Sequence, residues 1–263
     1  MTVELEGKKI NYAHAGTGPC IVFLHGFLEN LTIWDDFVAE LVDDHKVIQV
    51  DLPGHGKTEL FGSVHSMTLM ASAVHTVLRH EGVQECVIVG HSMGGYVALE
   101  FCKTFGHMVK GLCLFNSSAL PDTPEKKAER TQVAKILKRG YNHFVEEAIP
   151  HLFTAKNQEK LKDLIAELVR EAKEIPVEGA IAATLGMRDR ADSVAFLKTV
   201  KFPVLFVIGR QDPIIPFDKY KEQIFVNELI NVYVSAHSGH MGFIEDRDGT
   251  FDSVKNFIDY AYE

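Results

Sequence analysis

The chain has 263 residues, 46% of them hydrophobic and 24% charged, which is ample for a large buried core and ordinary for a globular protein. Its formal net charge of −9 sets its surface against nucleic acid and anionic membranes, so neither is expected as a partner. No apolar run approaches the roughly 18 residues that span a bilayer, and the opening MTVELEGKKI lacks the basic-then-apolar pattern of a signal segment, so a cytoplasmic location is expected.

In chain order, residues 2–6 and 9–13 read as a hairpin around Gly7. Cys20–Leu24 and Lys46–Val50 are short β-branched runs closed by turn residues and are predicted strands. Met67–Glu81 is a predicted helix, because Met67, Met70, Ala71, Val74, Val77 and Leu78 recur at helical spacing and Ser66 can cap its start. Strands follow at Cys86–Val89 and Lys110–Phe115, with a helix over Gly95–Phe105 between them. Further strands are predicted at Phe202–Ile208 and Ile230–Ser235, flanking a helical run near Pro216–Phe225. The last helix should bury Phe251, Val254, Phe257 and Ile258. This alternation predicts an α/β fold, a mostly parallel sheet with helices on both faces.

Residues 120–190 break the rhythm. They are rich in Lys and Glu and contain one apolar helical stripe, Leu161, Leu164, Ile165, Leu168 and Val169. The expected organisation is a core of residues 1–119 and 191–263 with a helical cap inserted at 120–190. The four cysteines, Cys20, Cys86, Cys102 and Cys113, form no C-x-x-C pair and are expected to be buried reduced thiols.

The chemistry is concentrated at V87-I88-V89-G90-H91-S92-M93-G94-G95, where a predicted strand meets a predicted helix. Glycines two before and two after Ser92 let strand and helix approach closely, which pushes the hydroxyl out at the carboxyl edge of the sheet. The following helix turns free N–H groups and a positive dipole end toward that point. A serine needs a base, and the base an orienting acid, in the chain order serine, acid, histidine. His240, between Gly239 and Gly242 after the last strand, is the candidate base, with His237 in reserve. Asp212, on the turn fixed by Pro213 after strand Phe202–Ile208, is the candidate acid. The end of Lys110–Phe115 is another acid position, but Asn116 there cannot carry charge. Backbone N–H groups of Met93 and Phe27 are the candidate oxyanion donors, and His25 reads as a structural residue of its loop.

Taken together, VFLHGF (22–27), DLPGHG (51–56), GHSMGG (90–95), PVLFVIGRQD (203–212) and SGHM (238–241) resemble the α/β-hydrolase superfamily, in order and over most of the chain outside 120–190. The resemblance implies a sheet of about eight strands, Ser-Asp-His chemistry, a cap after the sixth strand and no cofactor. It lies nearest the small serine esterases and carbon–carbon hydrolases, whereas dehalogenases and epoxide hydrolases resemble it with aspartate where Ser92 stands. The expected substrate is a small-molecule acyl ester, attacked by Ser92 and released by water. Alternatives are cleavage of a carbon–carbon bond in a carboxylate-bearing substrate, and a slow-turnover ligand receptor on the same scaffold.

Arg188 and Arg190 lie where cap meets core, and two readings stay open for them: contacts to a substrate carboxylate, or junction salt bridges. Phe144, Leu152, Phe153 and Leu185 are candidates for an acyl pocket, and equally for plain core. The run GHGKT (54–58) has Asp51 where a phosphate-binding loop needs glycine, so it reads as a structural turn. His237 and His240 have no further ligand at metal spacing, and no metal is expected.

Overall fold

The computed structural model describes all 263 residues. Its eight strands are β1 (Thr2–Leu5), β2 (Lys8–Ala15), β3 (Cys20–Leu24), β4 (Lys46–Val50), β5 (Cys86–His91), β6 (Val109–Phe115), β7 (Val204–Gly209) and β8 (Ile230–Ser235). They form one sheet in the order β1-β2-β4-β3-β5-β6-β7-β8. The hairpin β1–β2 and the β2–β4 pair are antiparallel, and every pair from β4 to β8 is parallel. The predicted fold class is the one observed. Every residue of β3, β5 and β7 is buried, which is why these strands read as unbroken apolar runs. Successive side chains alternate between faces: Val22 and Leu24 join one buried cluster, Ile21 and Phe23 the other.

The helices are α1 (Asp35–Leu41), α2 (Met67–His80), α3 (Met93–Phe105), α4 (Pro124–His151), α5 (Ala155–Lys160), α6 (Lys162–Lys173), α7 (Val177–Arg188), α8 (Val194–Leu197), α9 (Lys221–Ile224), α10 (Gly242–Glu245) and α11 (Arg247–Tyr262). Helices α2 and α3 cover one face of the sheet, α1 and α11 the other. The six-residue stripe of α2 is buried as its spacing predicts, and Ser66 Oγ accepts the Leu69 N–H at 3.1 Å. In α11, Phe251, Val254, Phe257 and Ile258 are buried. The four cysteines are free and buried. No helix is long and apolar enough to cross a membrane.

Five helices, α4 to α8, separate β6 from β7, and the first four fall within residues 120–190. Sequence reading missed the extent of α4, because only Leu137, Val145 and Ile149 of its 28 residues are buried and the apolar period is faint. Its backbone leaves helical geometry at Gly140, which kinks it. The stripe expected near 161–169 is only partly inward: Ile165 is buried, Leu164 is exposed, and Leu161 precedes α6 rather than lying in it. The helical run near 216–225 is a 3-10 turn at Phe217–Tyr220 followed by the single turn α9.

Candidate active site

The carboxyl ends of β3, β5, β6, β7 and β8 meet at one edge of the parallel sheet, and the candidate residues lie on the loops that leave them. Strain marks the same edge. Of four non-glycine residues with positive φ, three are here: Leu28 (φ 64°), Ser92 (φ 49°) and Asn116 (φ 43°). Such backbone costs about 1–3 kcal/mol per residue and persists only where the surroundings force it. At Ser92 the forcing is visible. A Cβ on Gly94 would lie 2.5 Å from the Leu24 carbonyl oxygen and 2.7 Å from that of His25, and one on Gly90 would strike the Gly94 carbonyl. Gly94→Ala should therefore push α3 off β3 and destabilise the protein by about 1–3 kcal/mol. A drop in the urea midpoint without change in slope would show this; an unchanged midpoint would mean that the junction has slack.

Ser92 Oγ lies 2.9 Å from His240 Nε2, and His240 Nδ1 lies 2.8 Å from Asp212 Oδ2. Asp212 is further held by N–H groups of Ile214 and Ile215 on Oδ1, at 2.8 and 2.9 Å, and by Asn116 Nδ2 on Oδ2 at 3.0 Å. Burial alone would raise the Asp212 carboxyl, but the His240 imidazole and these donors outweigh it and hold it below the usual carboxylate range. Burial alone would lower His240, yet the Asp212 charge and hydrogen bond hold it above the ordinary histidine value. The N–H groups of Phe27 and Met93 donate to no other group in the protein. A cavity of about 230 Å³ opens on Ser92 and His240, walled by Phe27, Tyr96, Ile214 and residues of α4 and α7.

A sequence profile of the alpha/beta hydrolase fold matches residues 19–247 of this chain. The chain belongs to the α/β-hydrolase family. A thermophilic esterase from Thermogutta terrifontis, solved with malate bound, superposes with a TM-score of 0.93 over 100% of this chain and 97% of its own, at 29% identity. The pimeloyl-[acyl-carrier protein] methyl ester esterase of Wigglesworthia glossinidia brevipalpis is 27% identical over 230 residues, 83% of this chain and 86% of its own. An uncharacterized protein of Mycobacterium tuberculosis is 32% identical over 116 residues, 44% of this chain and 34% of its own, so the match spans about a third of that relative.

In this α/β-hydrolase the remaining candidates fall in different places. His237 is exposed, and its carbonyl accepts from Asn157 Nδ2 at 3.5 Å. His25 accepts the Leu52 N–H on Nε2 and donates from Nδ1 to the Gly26 carbonyl at 2.7 Å, a loop brace as expected. Asp51 ties Leu31, Lys57 and Asn11 together, and a Cβ on Gly56 would strike its carboxylate, so the GHGKT turn is a structural loop. Phe144 and Leu152 line the cavity; Phe153 and Leu185 do not. Arg188 and Arg190 do not reach it either, which corrects the carboxylate-contact reading of that pair. Arg188 pairs with Asp189 at 2.8 Å. Arg190 pairs with Asp122 at 2.6 Å, donates to the Met187 and Leu120 carbonyls, and lies over the Tyr96 ring. The chain turns away as α7 ends, so neither guanidinium lines the cavity: Arg190 closes the junction with the core, and Arg188 stays within the helical insertion, near Asp189 and Thr131.

Sequence reading missed a buried pair behind the site. Glu29 Oε2 accepts the Gly26 N–H and faces His91 Nδ1 at 3.0 Å, while His91 Nε2 faces the His240 carbonyl at 3.0 Å. Both ring nitrogens of His91 face oxygens, so the ring bridges the Glu29 carboxylate and the His240 carbonyl. Burial opposes the Glu29 charge, but His91 and the Gly26 N–H win and hold the carboxyl below its usual range. The pair thus braces the loop carrying Phe27 against the loop carrying His240. Its only sequence signal is a glutamate three residues after Gly26, too short a hint without the fold.

Proposed function

We propose that the protein is a serine hydrolase that cleaves carboxylic esters of small to medium size through an acyl-enzyme on Ser92. The observation that carries the reading is the hydrogen-bonded chain Ser92 Oγ–His240 Nε2, His240 Nδ1–Asp212, opening into a largely apolar cavity beside two unpartnered N–H groups. In this reading Ser92 Oγ attacks the ester carbonyl as His240 Nε2 takes its proton, and Asp212 fixes the ring and its tautomer. Charge develops on the carbonyl oxygen, where the Phe27 and Met93 N–H groups stabilise it. The acyl–oxygen bond breaks and the alcohol leaves with the proton from His240. Water then gives its proton to His240 and its hydroxide to the acyl carbon, and the proton returns to Ser92. Helices α4 to α7 act as the cap over this cavity. The esterase relatives support the same class of bond.

A fluorophosphonate probe tests the reading directly. Wild type should be labelled, and Ser92→Ala and His240→Ala should not. Labelling that survives Ser92→Ala sinks the proposal, and so does folded wild type that neither labels nor hydrolyses any ester; the latter favours the slow-receptor alternative.

The pH dependence has a definite sign. Only neutral His240 can accept the serine proton, and its pKa is raised. The acid limb of kcat/KM should therefore have its midpoint above about 6.5, the unperturbed histidine value, with activity rising toward alkaline pH. A midpoint below that value would remove His240 as the base.

A further inference from the structure

The Ser92 cavity carries a cation that has more charge and more donors than the protein uses. On the face of α4 that lines it, Lys126 is matched by Glu129 at 2.8 Å. The next residue, Arg130, is not matched in the same way. Its Nε pairs with Asp122 Oδ2, but the other oxygen of that buried carboxylate pairs with Arg190 Nη1 at 2.6 Å. Two guanidiniums therefore share one carboxylate, and the cluster carries one uncompensated positive charge, with Arg130 only 17% exposed. Leaving such a charge half-buried is unfavourable unless an anion arrives to meet it.

The donors point the same way. Arg190 is committed to Asp122 and two carbonyls and is stacked on Tyr96. Arg130 spends Nε on Asp122, its Nη1 finds only the Met187 sulfur at 3.6 Å, and its Nη2 has no acceptor in the protein. A thioether is a weak acceptor, so most of the fork is unspent on a residue that lines the cavity. Asp122 meanwhile fixes the guanidinium plane. A pinned planar fork with free donors is suited to a carboxylate, which it can bind with two parallel hydrogen bonds.

We propose that Arg130 anchors a carboxylate at the far end of the acyl chain, so that the substrate class is the half-ester of a dicarboxylic acid. This rests on the ester-hydrolase reading of Ser92. The anion is assigned to the acyl part because an ion pair there holds the acyl-enzyme in place for water, whereas one on the alcohol would hinder its departure. The product is a dicarboxylate, with the new carboxyl proton released to solvent.

The test compares kcat/KM of the full chain, by pH-stat titration, on monomethyl esters of succinic, glutaric, adipic, pimelic and suberic acids and on methyl alkanoates of equal length. Wild type should favour at least one half-ester. Arg130→Gln should cut the half-ester to neutral-ester ratio about 10–100-fold, mainly through KM, the scale of a charge-assisted hydrogen bond. Because the readout is a ratio, partial loss of folded protein cancels. Arg130→Lys keeps the charge without the fork and should restore only part of the ratio. A wild type that hydrolyses neutral esters through Ser92 but shows no half-ester preference overturns the anchor while leaving the hydrolase reading intact. A preference that survives Arg130→Gln, or one that appears only for esters with the carboxylate on the alcohol, also overturns it. Absence of any Ser92-dependent turnover overturns both readings.

Discussion

Replacing Ser92 by alanine is expected to lower kcat for ester hydrolysis by ~10⁵–10⁶, the scale on which a serine triad loses its nucleophile. The residual rate should come from the Phe27 and Met93 N–H groups and from binding alone, which leave a small acceleration over water. The fold should not suffer. Ser92 Oγ has His240 Nε2 as its protein partner, and the backbone amide that anchors the turn, Ser92 N–H to the Phe115 carbonyl at 3.0 Å, does not depend on the side chain. Alanine inherits the φ of 49° and with it the local strain. Glycine does not, because positive φ costs it little. Ser92→Gly should therefore be equally inactive yet more stable than Ser92→Ala, since strain relief of about 1–3 kcal/mol exceeds the roughly 0.5–1 kcal/mol of extra chain entropy. Activity assays alongside urea denaturation would separate the two effects. A glycine variant less stable than the alanine one would mean that the turn is not strained.

The parts of this site visible in sequence are those tied to the backbone of the sheet. Glycine is forced at 90 and 94 by contacts within a few residues of the turn or with the adjoining strand, so the junction could be read locally. Asp212 and His240 lie on the loops after β7, a continuous buried apolar run, and β8, a run of alternating β-branched residues. What stayed hidden depends on packing between distant segments. Glu29 and His91 are 62 residues apart and meet only when β3 and β5 lie side by side. Arg130 reaches the cavity through the placement of α4, whose few buried residues give little periodic signal. Arg188 and Arg190 stand near the cap–core boundary in the chain, but how α7 ends decides where each side chain goes: Met187 lines the cavity, Arg188 in the last turn pairs with Asp189, and Arg190, past the helix, pairs with Asp122.

Replacing Asp212 by asparagine should lower kcat by about 10⁴, the cost of presenting the base in the wrong tautomer. The hydrogen bonds around Asp212 make a nearly isosteric change this damaging. Oδ1 of residue 212 must keep accepting the Ile214 and Ile215 N–H groups, so the new amide nitrogen takes the place of Oδ2. There it meets His240 Nδ1 and donates to it, which puts the imidazole proton on Nε2, facing Ser92. A nitrogen that already carries a proton cannot take one from the serine. The same amide also meets Asn116 Nδ2, donor against donor, and Asn116 can turn its free Oδ1 inward only by giving up its bond to the Gly239 carbonyl at 3.1 Å. That bond lies beside His240, so relieving one conflict loosens the base. The charge that raises His240 is gone as well, and the acid limb of the remaining activity should move to lower pH than in wild type. Steady-state kcat and its pH profile on one neutral ester, with circular dichroism to confirm the fold, would decide the matter. A loss of less than about tenfold with an unmoved acid limb would mean that another group orients His240 and that Asp212 is only a turn residue.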